Sequence, residues 1–243
     1  AMSGRSRMDV QYDLNVADLG GAIGSMTMAD KAYAAGGSVY LGKGFTSTGT
    51  VVMTGGTLSQ TNPAGEFIVG REGAGTLTVS GSGRVLVSAT TGLVLSGWTT
   101  ATQGIVNLNG GLIEATRVRM GDGVGGTLNL NSGTLRAAAG AASAFVSGSL
   151  AVNVLAGGAV IDSNGQNVTI STSLTGSGGL VKRGLGTLTL SNSNTITGST
   201  SIFAGRVKLA NASALPTSSV TPLAGGTMEL SPYLVTTVAG LKP

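Results

Sequence analysis

The sequence of 243 residues contains neither cysteine nor histidine, and it has only 5 prolines. Without thiolates or imidazoles it can form no disulfide scaffold, no zinc finger, no haem site and no Ser-His-Asp triad. Charged residues make up 10% of the chain, whereas a globular domain usually carries about 25%. Hydrophobic residues still reach 41%, which excludes disorder driven by high charge and low hydropathy.

The few charges give no sign of a nucleic-acid partner. The net charge of +4 comes from 14 basic and 10 acidic residues that are scattered along the chain. Nucleic-acid binding usually needs a dense basic stripe with stacking aromatics, and only 4% of these residues are aromatic. No apolar run of about 20 residues is present, so we expect no transmembrane helix. Residues 1–25 also lack the apolar stretch of a signal peptide.

Glycine is abundant, at 42 residues, and it punctuates an internal repeat. Segments of alternating polar and apolar residues begin at positions 75, 104, 126 and 149, so the pattern recurs at a short interval. Alternation with period 2 indicates strands, because successive side chains leave a strand on opposite faces. Each segment holds two strands and follows a third short one. Three strands in each repeat unit are what one coil of a three-faced parallel β-helix requires.

The repeat units align in columns that predict which side chains face inward. The inward columns are aliphatic, and they contain Leu77, Val106, Leu128 and Val152 in one column and Val79, Leu108, Leu130 and Val154 in the next. A polar column between them points outward and suits a hydrogen-bonded ladder. It contains Thr78, Asn107, Asn129 and Asn153.

The sequence therefore predicts an all-β parallel β-helix with about 22–29 residues per coil, a period that is typical of solenoids. A meander sheet or sandwich is the competing interpretation, because it would also alternate. Its strands, however, would not recur in register as these columns do.

We expect a single β-solenoid domain over residues 1–243. Residues 1–20 are interpreted as a flexible or capping segment, residues 21–175 as coils, residues 176–215 as a distinct repeat, and residues 216–243 as a last coil or cap. Residues 25–28 are expected to form a strand, and residues 29–35 a loop or a single helical turn. Neither terminus shows an obvious charged cap, which would protect an exposed strand edge.

Residues 176–215 carry a motif of glycines, leucines and threonines at fixed spacing. Its members are Gly179, Leu180, Lys182, Gly184, Gly186, Thr187, Leu188, Leu190, Asn194, Thr195, Gly198 and Gly205. This segment resembles the autotransporter-associated β-strand repeat. It departs from that pattern at Ile196, where tyrosine is common, and at residues 206–207. The resemblance implies a right-handed parallel β-helix in a secreted bacterial passenger domain, and it implies an extracellular or cell-surface location.

The acidic residues offer few opportunities for catalysis. A polysaccharide lyase or glycosidase on a β-helix needs clustered carboxylates with a basic residue nearby. Glu114, Asp122 and Arg119 are the best candidates, and Glu72 occupies a turn equivalent to that of Asp122. The interpretation we favour is that these are solvated turn charges. We therefore expect no enzyme activity, no bound metal and no cofactor.

Trp98 is the only tryptophan, and it lies in an insertion that lengthens the coil beginning at position 75. An exposed indole can stack on a sugar or a partner chain, but packing over its own coil is the interpretation that we favour. The leading hypothesis is a non-enzymatic extracellular structural or surface protein. In this hypothesis a stiff rod associates end to end with other copies into fibres. An adhesin that binds glycans or a cell surface, and a polysaccharide lyase or glycosidase, are the alternatives.

Overall fold

The computed structural model describes residues 1–98, 103–215, 219–223 and 225–230. These residues form a parallel β-solenoid of about 9 turns, and no helix occurs among them. Every strand pairing between successive coils is parallel, so strands from three columns form three faces that we call A, B and C. The predicted β-helix is confirmed, and the meander sheet or sandwich is wrong.

Each face is a stack of strands in which neighbours belong to successive coils. Face A consists of β2 (Ile23–Met28), β4 (Thr48–Met53), the first parts of β7 (Ala74–Val87) and β9 (Gly104–Ala115), β11 (Gly126–Leu130), β14 (Ala151–Val154), β17 (Leu174–Gly176) and β20 (Thr195–Ile196). Face B consists of the first parts of β1 (Arg7–Val16) and β3 (Tyr33–Leu41), β5 (Thr57–Gln60), the second parts of β7 and β9, β12 (Thr134–Ala137), β15 (Ala159–Asp162), β18 (Leu180–Arg183), β21 (Thr200–Ile202) and β23 (Val220–Pro222). Face C consists of the second parts of β1 and β3, β6 (Phe67–Val69), β8 (Leu93–Leu95), β10 (Val118–Met120), β13 (Ala144–Ser147), β16 (Val168–Ile170), β19 (Thr187–Leu190), β22 (Gly205–Leu209) and β24 (Gly226–Leu230).

The aliphatic columns of face A point into the core and lie in register. Leu77 pairs with Val106, Leu128 pairs with both Val106 and Val152, and the column two residues further on follows the same pairing. All eight of these side chains are at most 1% exposed. They belong to one continuous apolar core that runs the length of the solenoid. Burial of these columns is the main stabilising contribution, because the free energy gained is proportional to the apolar area removed from water.

A column of glycines marks the corner at which the chain enters face A. Gly49, Gly75, Gly104 and Gly126 pair with one another in successive coils. A Cβ atom on Gly104 would overlap the carbonyl oxygen of Val69 and the amide nitrogen of Ser96. The corner is therefore too narrow for any side chain, which explains why glycine recurs at the start of these strands.

The coils shorten toward the C-terminal end. Thr78 and Asn107 are partners in successive coils and lie 29 residues apart. Leu174 and Asn194, which bind each other across two later coils, lie only 20 residues apart. Coils in the repeat segment are thus shorter than the period predicted from the central part of the chain. The insertion around Trp98 lengthens the central coil, and strands β17 and β20 are only 3 and 2 residues long.

The N-terminal segment is more regular than the sequence suggests. Residues 7–16 form β1, which pairs with β3, and Met2 bridges to Met28. Residues 33–35, expected in a loop or helical turn, are the start of β3, so that expectation is wrong for them. They lie between β1 and β5, and this pairing on both edges outweighs the helix propensity of alanine.

At the other end, strands β23 and β24 continue the stack on faces B and C. Most of the expected last coil or cap at residues 216–243 lies outside the described residues. The interpretation of that segment therefore stays a prediction.

Substitution of Leu128 by alanine should remove a fully buried side chain from the middle of the core. We expect the free energy of unfolding to fall by about 2–5 kcal/mol, because the cavity cannot collapse between two fixed neighbouring coils. The matched control is Thr127→Ala, whose partly exposed side chain points outward on the same strand; it should change stability by no more than about 0.5 kcal/mol. Chemical denaturation followed by circular dichroism measures both, and equal effects of the two variants would contradict the assigned orientation.

Candidate functional site

A ladder of amide side chains runs along the outside of face A. The amide of Asn107 donates to the hydroxyl of Thr78 at 3.2 Å, Asn129 donates to Asn107 at 2.8 Å, and Asn153 donates to Asn129 at 2.8 Å. The hydroxyl of Thr175 then donates to Asn153 at 3.2 Å. The structure thus brings the four predicted ladder residues together and adds one more. Their donors and acceptors bind each other, so this ladder braces the face.

A second outward column, on face B, contains alternating charges. The guanidinium of Arg136 lies 3.6 Å from the carboxylate of Glu114 and 3.5 Å from that of Asp162. The same guanidinium donates to the side-chain oxygen of Asn164 at 2.8 Å. One guanidinium therefore lies between the two carboxylates, and Arg183 is the register partner of Asp162 in the next coil. Glu114, the first of the candidate catalytic residues, belongs to this column.

The other candidate catalytic residues lie on face C or in the turn that follows it. The side chain of Arg119 donates to the backbone oxygens of Thr91 and Met120. The backbone amide of Asp122 donates to the carbonyl oxygen of Gly97, and the backbone amide of Glu72 donates to the carbonyl oxygen of Gly42. The structure therefore does not bring Glu114 together with Arg119 and Asp122.

Trp98 lies in the turn after β8 and is 53% exposed. The guanidinium of Arg71 stacks on its ring at 4.2 Å and lies 5.0 Å from the ring of Tyr40, and the ammonium of Lys43 is 5.3 Å from that same ring. A cation above an aromatic ring is attracted by the partial negative charge of the ring face. We call Tyr40, Lys43, Arg71 and Trp98 the aromatic–cationic patch. Trp98 thus packs against its own coil on one side while half of its surface stays in solvent.

Tyr40 forms the buried floor of this patch with Ile68 and Val94, which are outward side chains of the same column on face C. The Tyr40 hydroxyl donates to the carboxylate of Glu66 at 2.7 Å. Burial, followed by this hydrogen bond to a carboxylate, raises the pKa of Tyr40 to about 12. Tyr40 therefore remains a neutral hydrogen-bond donor throughout the physiological pH range.

Lys182, a residue of the repeat motif, occupies a position that the sequence interpretation did not assign. It lies in an inward column between Ile161 and Ile202, and it is 0% exposed. Its ammonium donates to the backbone oxygens of Arg183 at 2.7 Å, Gly184 at 2.6 Å and Ala204 at 3.2 Å. Burial lowers its pKa to about 8, and the charge of Asp162 partly opposes this effect.

The motif residue Asn194 is also buried, at 3% exposure, and it ties three coils together. Its side-chain oxygen accepts from the amide of Leu174 at 2.8 Å. Its side-chain nitrogen donates to the backbone oxygen of Ala214 at 2.6 Å. Both motif residues therefore satisfy backbone groups at turns, where the strand ladder is interrupted.

The N-terminal end of the solenoid has two kinds of strand edge. On β1, Arg7, Asp9 and Asp13 carry charges, and the strand has a bulge between residues 10 and 13. Charges and bulges of this kind discourage pairing with another chain, so the N-terminal edge does carry the charged protection that we did not expect. By contrast, β2 is uncharged. It pairs with β4 on one side, and on its outer side the described residues provide the Met2 bridge and no partner for positions 23–26.

Beside this uncharged edge the core opens into a recess of about 320 Å³. Its apolar lining includes Met2, Met8, Leu14 and Met26. Ile23, the first residue of β2, is 88% exposed. In the described residues no group of acidic side chains is positioned to hold a metal ion. The same residues contain no helix that is long and apolar enough to cross a membrane.

Comparison with known families supports the resemblance of the repeat segment. Residues 180–209 match the family model described as passenger-associated-transport-repeat. This match and the solenoid fit an autotransporter passenger-like β-helix, and they indicate a secreted or cell-surface protein of the passenger type. No curated protein and no solved structure matches the chain.

Two features of these sites can be recognised in the sequence, although they lie outside the columns aligned for residues 75–163. Strict alternation from Leu180 places Lys182 inward, as the structure does. The alternation of charge on face B becomes visible only after β12, β15 and β18 are aligned in register. The aromatic–cationic patch has no such signal, because Tyr40 lies in β3 whereas Lys43, Arg71 and Trp98 lie in turns of different length.

Lys182 should make stability depend on pH. Its pKa is about 8 in the folded chain against an ordinary value of 10.5, so between these values the unfolded chain binds more protons. Stability should then rise with pH across that window, with a slope of at most about 1.4 kcal/mol per pH unit. Lys182→Met lacks this contribution.

Denaturant titrations of the wild type and of Lys182→Met at intervals between pH 7 and pH 11 measure the difference in slope. Taking the difference between the two proteins removes the contributions of the other lysines and tyrosines. Parallel stability curves would show that burial of Lys182 does not shift its proton affinity.

Proposed function

We propose that this chain is a non-enzymatic structural protein of the cell surface or extracellular space, and that its rods associate end to end. The proposal is supported chiefly by the uncharged, unpaired edge of β2 beside an open apolar core. A free parallel edge offers N–H and C=O groups to another strand. A contact between different ends of identical rods does not close, and it therefore generates a fibre.

Backbone geometry identifies which groups would form that contact. The carbonyl oxygen of Thr27 accepts from the amide of Met2 across the outer edge. Because alternate residues of a parallel strand direct both their N–H and C=O groups to the same side, those of Ser25 and Ile23 also point outward. An incoming strand could continue the ladder there and cover the recess.

The arrangement of the carboxylates supports a role without catalysis. A glycosidase needs two carboxyl groups across an open sugar site, but a guanidinium lies between Glu114 and Asp162. Arg119 donates to backbone oxygens instead of facing a carboxylate. These contacts favour a structural role over the lyase or glycosidase alternative.

Ser25→Pro should block end-to-end association while leaving the coil intact. Proline removes an N–H that faces outward, and proline is tolerated at such an edge. The wild type should form longer rods in negative-stain electron microscopy as its concentration rises. The variant should need at least about tenfold more protein for the same length, equivalent to about 1.4 kcal/mol per contact.

Ser25→Ala is the matched control, because it keeps the N–H and should assemble like the wild type. Circular dichroism should show the same β content in all three proteins. Discrete short rods of the wild type at every concentration would refute end-to-end association.

A second candidate function is glycan binding at the aromatic–cationic patch. It is favoured by the half-exposed ring of Trp98, which Arg71 holds in place from one side. A fixed aromatic ring can stack on the apolar face of a sugar, and the guanidinium can donate to its hydroxyl groups.

Because Trp98 is the only tryptophan, its fluorescence reports directly on this patch. Titration with a panel of neutral and acidic oligosaccharides should change the emission if one of them binds. Trp98→Ala should then weaken binding by at least about tenfold in calorimetry, whereas Trp98→Phe should retain part of it. An unchanged spectrum with every sugar, or equal affinity of Trp98→Ala, would eliminate this function.

A further inference from the structure

The outward column of face B that contains Arg136 begins with Asp9, Ala35 and Ser59. We call its next six members, on successive coils, the charged column. Backbone register places its first five members beside one another. The sixth follows from the amide of Phe203, which donates to Lys182 at 2.9 Å, and from the Arg183 guanidinium, which lies 5.4 Å from the Phe203 ring. In order, the charged column is Leu86, Glu114, Arg136, Asp162, Arg183 and Phe203.

This column changes sign at every coil and has an apolar residue at each end. Reversing its order therefore exchanges every acidic position with a basic one and each apolar end with the other. The column is complementary to its own reverse. Phe203 is 46% exposed, and the side chains of Glu114, Arg136 and Asp162 are 23–36% exposed, so the column is accessible.

On the same six coils, the neighbouring outward column, two residues earlier on each strand, has one charged residue and otherwise apolar or hydroxyl side chains. It contains Arg84, Leu112, Thr134, Val160, Val181 and Ser201. When this column is reversed, Leu112 comes opposite Val181, and Thr134 opposite Val160. Apolar atoms would meet apolar atoms beside the charged pairs.

We propose that face B binds a second copy of this chain, face to face and with the two rods running in opposite directions. A two-fold axis in the interface and parallel to the strands reverses the order of coils but keeps each column in its place. It pairs Glu114 with the partner's Arg183 and Arg136 with the partner's Asp162. Leu86 then meets the partner's Phe203.

The opposite arrangement is disfavoured by the same charges. If the two rods ran in the same direction in register, each charge would face an identical charge, which is repulsive. A shift by one coil would bring opposite charges together but would place Leu86 and Phe203 against charged groups. Only the reversed order satisfies all six positions.

The interface is small, since six coils about 4.8 Å apart span only about 24 Å along the rod. We therefore expect a weak dimer that dissociates as salt screens the charges. This lateral contact does not involve the β2 edge, so it is independent of end-to-end association. It would convert single rods into paired ones.

Charge reversal tests the proposal in the Ser25→Pro variant, in which end-to-end contacts are blocked. If Ser25→Pro does not fold, Ile23→Lys replaces it as the background, because a charge at the β2 edge also discourages strand pairing. Sedimentation equilibrium at low salt should show a monomer–dimer equilibrium. Arg136→Glu should weaken the dimer at least about tenfold. Arg119→Glu, a charge reversal of the same size on face C, should leave it unchanged.

The double variant Arg136→Glu/Asp162→Arg separates this contact from a structural effect. Its column reads acidic, acidic, basic, basic, which is again complementary to its own reverse, so dimerisation should recover. Within one chain, however, the swap places like charges on neighbouring coils. If the column only stabilised the single chain, the double variant should therefore dimerise even less than Arg136→Glu. Thermal unfolding verifies that each variant is folded.

Two results would overturn the proposal. One is a folded Ser25→Pro or Ile23→Lys protein that stays monomeric up to about 1 mM, the range of a very weak contact. The other is a folded double variant that dimerises no better than Arg136→Glu alone.

Discussion

Hydrogen bonding between the backbones of successive coils is the constraint on which the rest of this structure depends. Each strand inside the stack lies in register with strands above and below it, so a residue at one position in a coil has an equivalent neighbour in the next. Equivalent residues therefore form columns, and the side chains of each column must pack or bind favourably when they are stacked about 4.8 Å apart. Aliphatic side chains meet this requirement inside, where they stack into one core. Asparagines meet it outside, because an amide both donates and accepts.

The same constraint explains the polar residues that the repeat segment buries. Where the chain turns between strands, carbonyl groups lose their ladder partners, and an unpaired buried carbonyl is unfavourable. Lys182 donates to the backbone oxygens of Gly184 and Ala204 and to that of Arg183, which also accepts from the amide of Ser163. Asn194 binds one coil on each side of its own. Coils as short as those of the repeat segment leave little room for longer turns that could satisfy these groups by themselves. A buried cation and a buried amide thus belong to the architecture of the repeat.

A stack of this kind places its chemistry on long surfaces and at its ends. Face A uses its side chains to bind one another, which makes it a brace rather than a binding surface. Face B carries charges whose order has a direction, and the N-terminal end presents one protected and one open strand edge. The aromatic–cationic patch arises where turns of unequal length project beyond face C. These features agree with a protein of the secreted or cell-surface passenger type.

The sequence alone determined the fold and the columns, because alternation with period 2 and a glycine before the strand recur in each of the central coils. From these features the inward position of Leu128 and the outward position of Asn129 follow directly. The resemblance at residues 176–215 likewise came from the spacing of glycines and leucines. Only the tertiary structure decided that residues 33–35 are strand, since this depends on partners in β1 and β5 that are distant in sequence. It also decided that Arg71 lies on Trp98, that one guanidinium holds Glu114 and Asp162, and that the β2 edge is open. Each of these depends on register between coils of unequal length, which no local pattern of residues specifies.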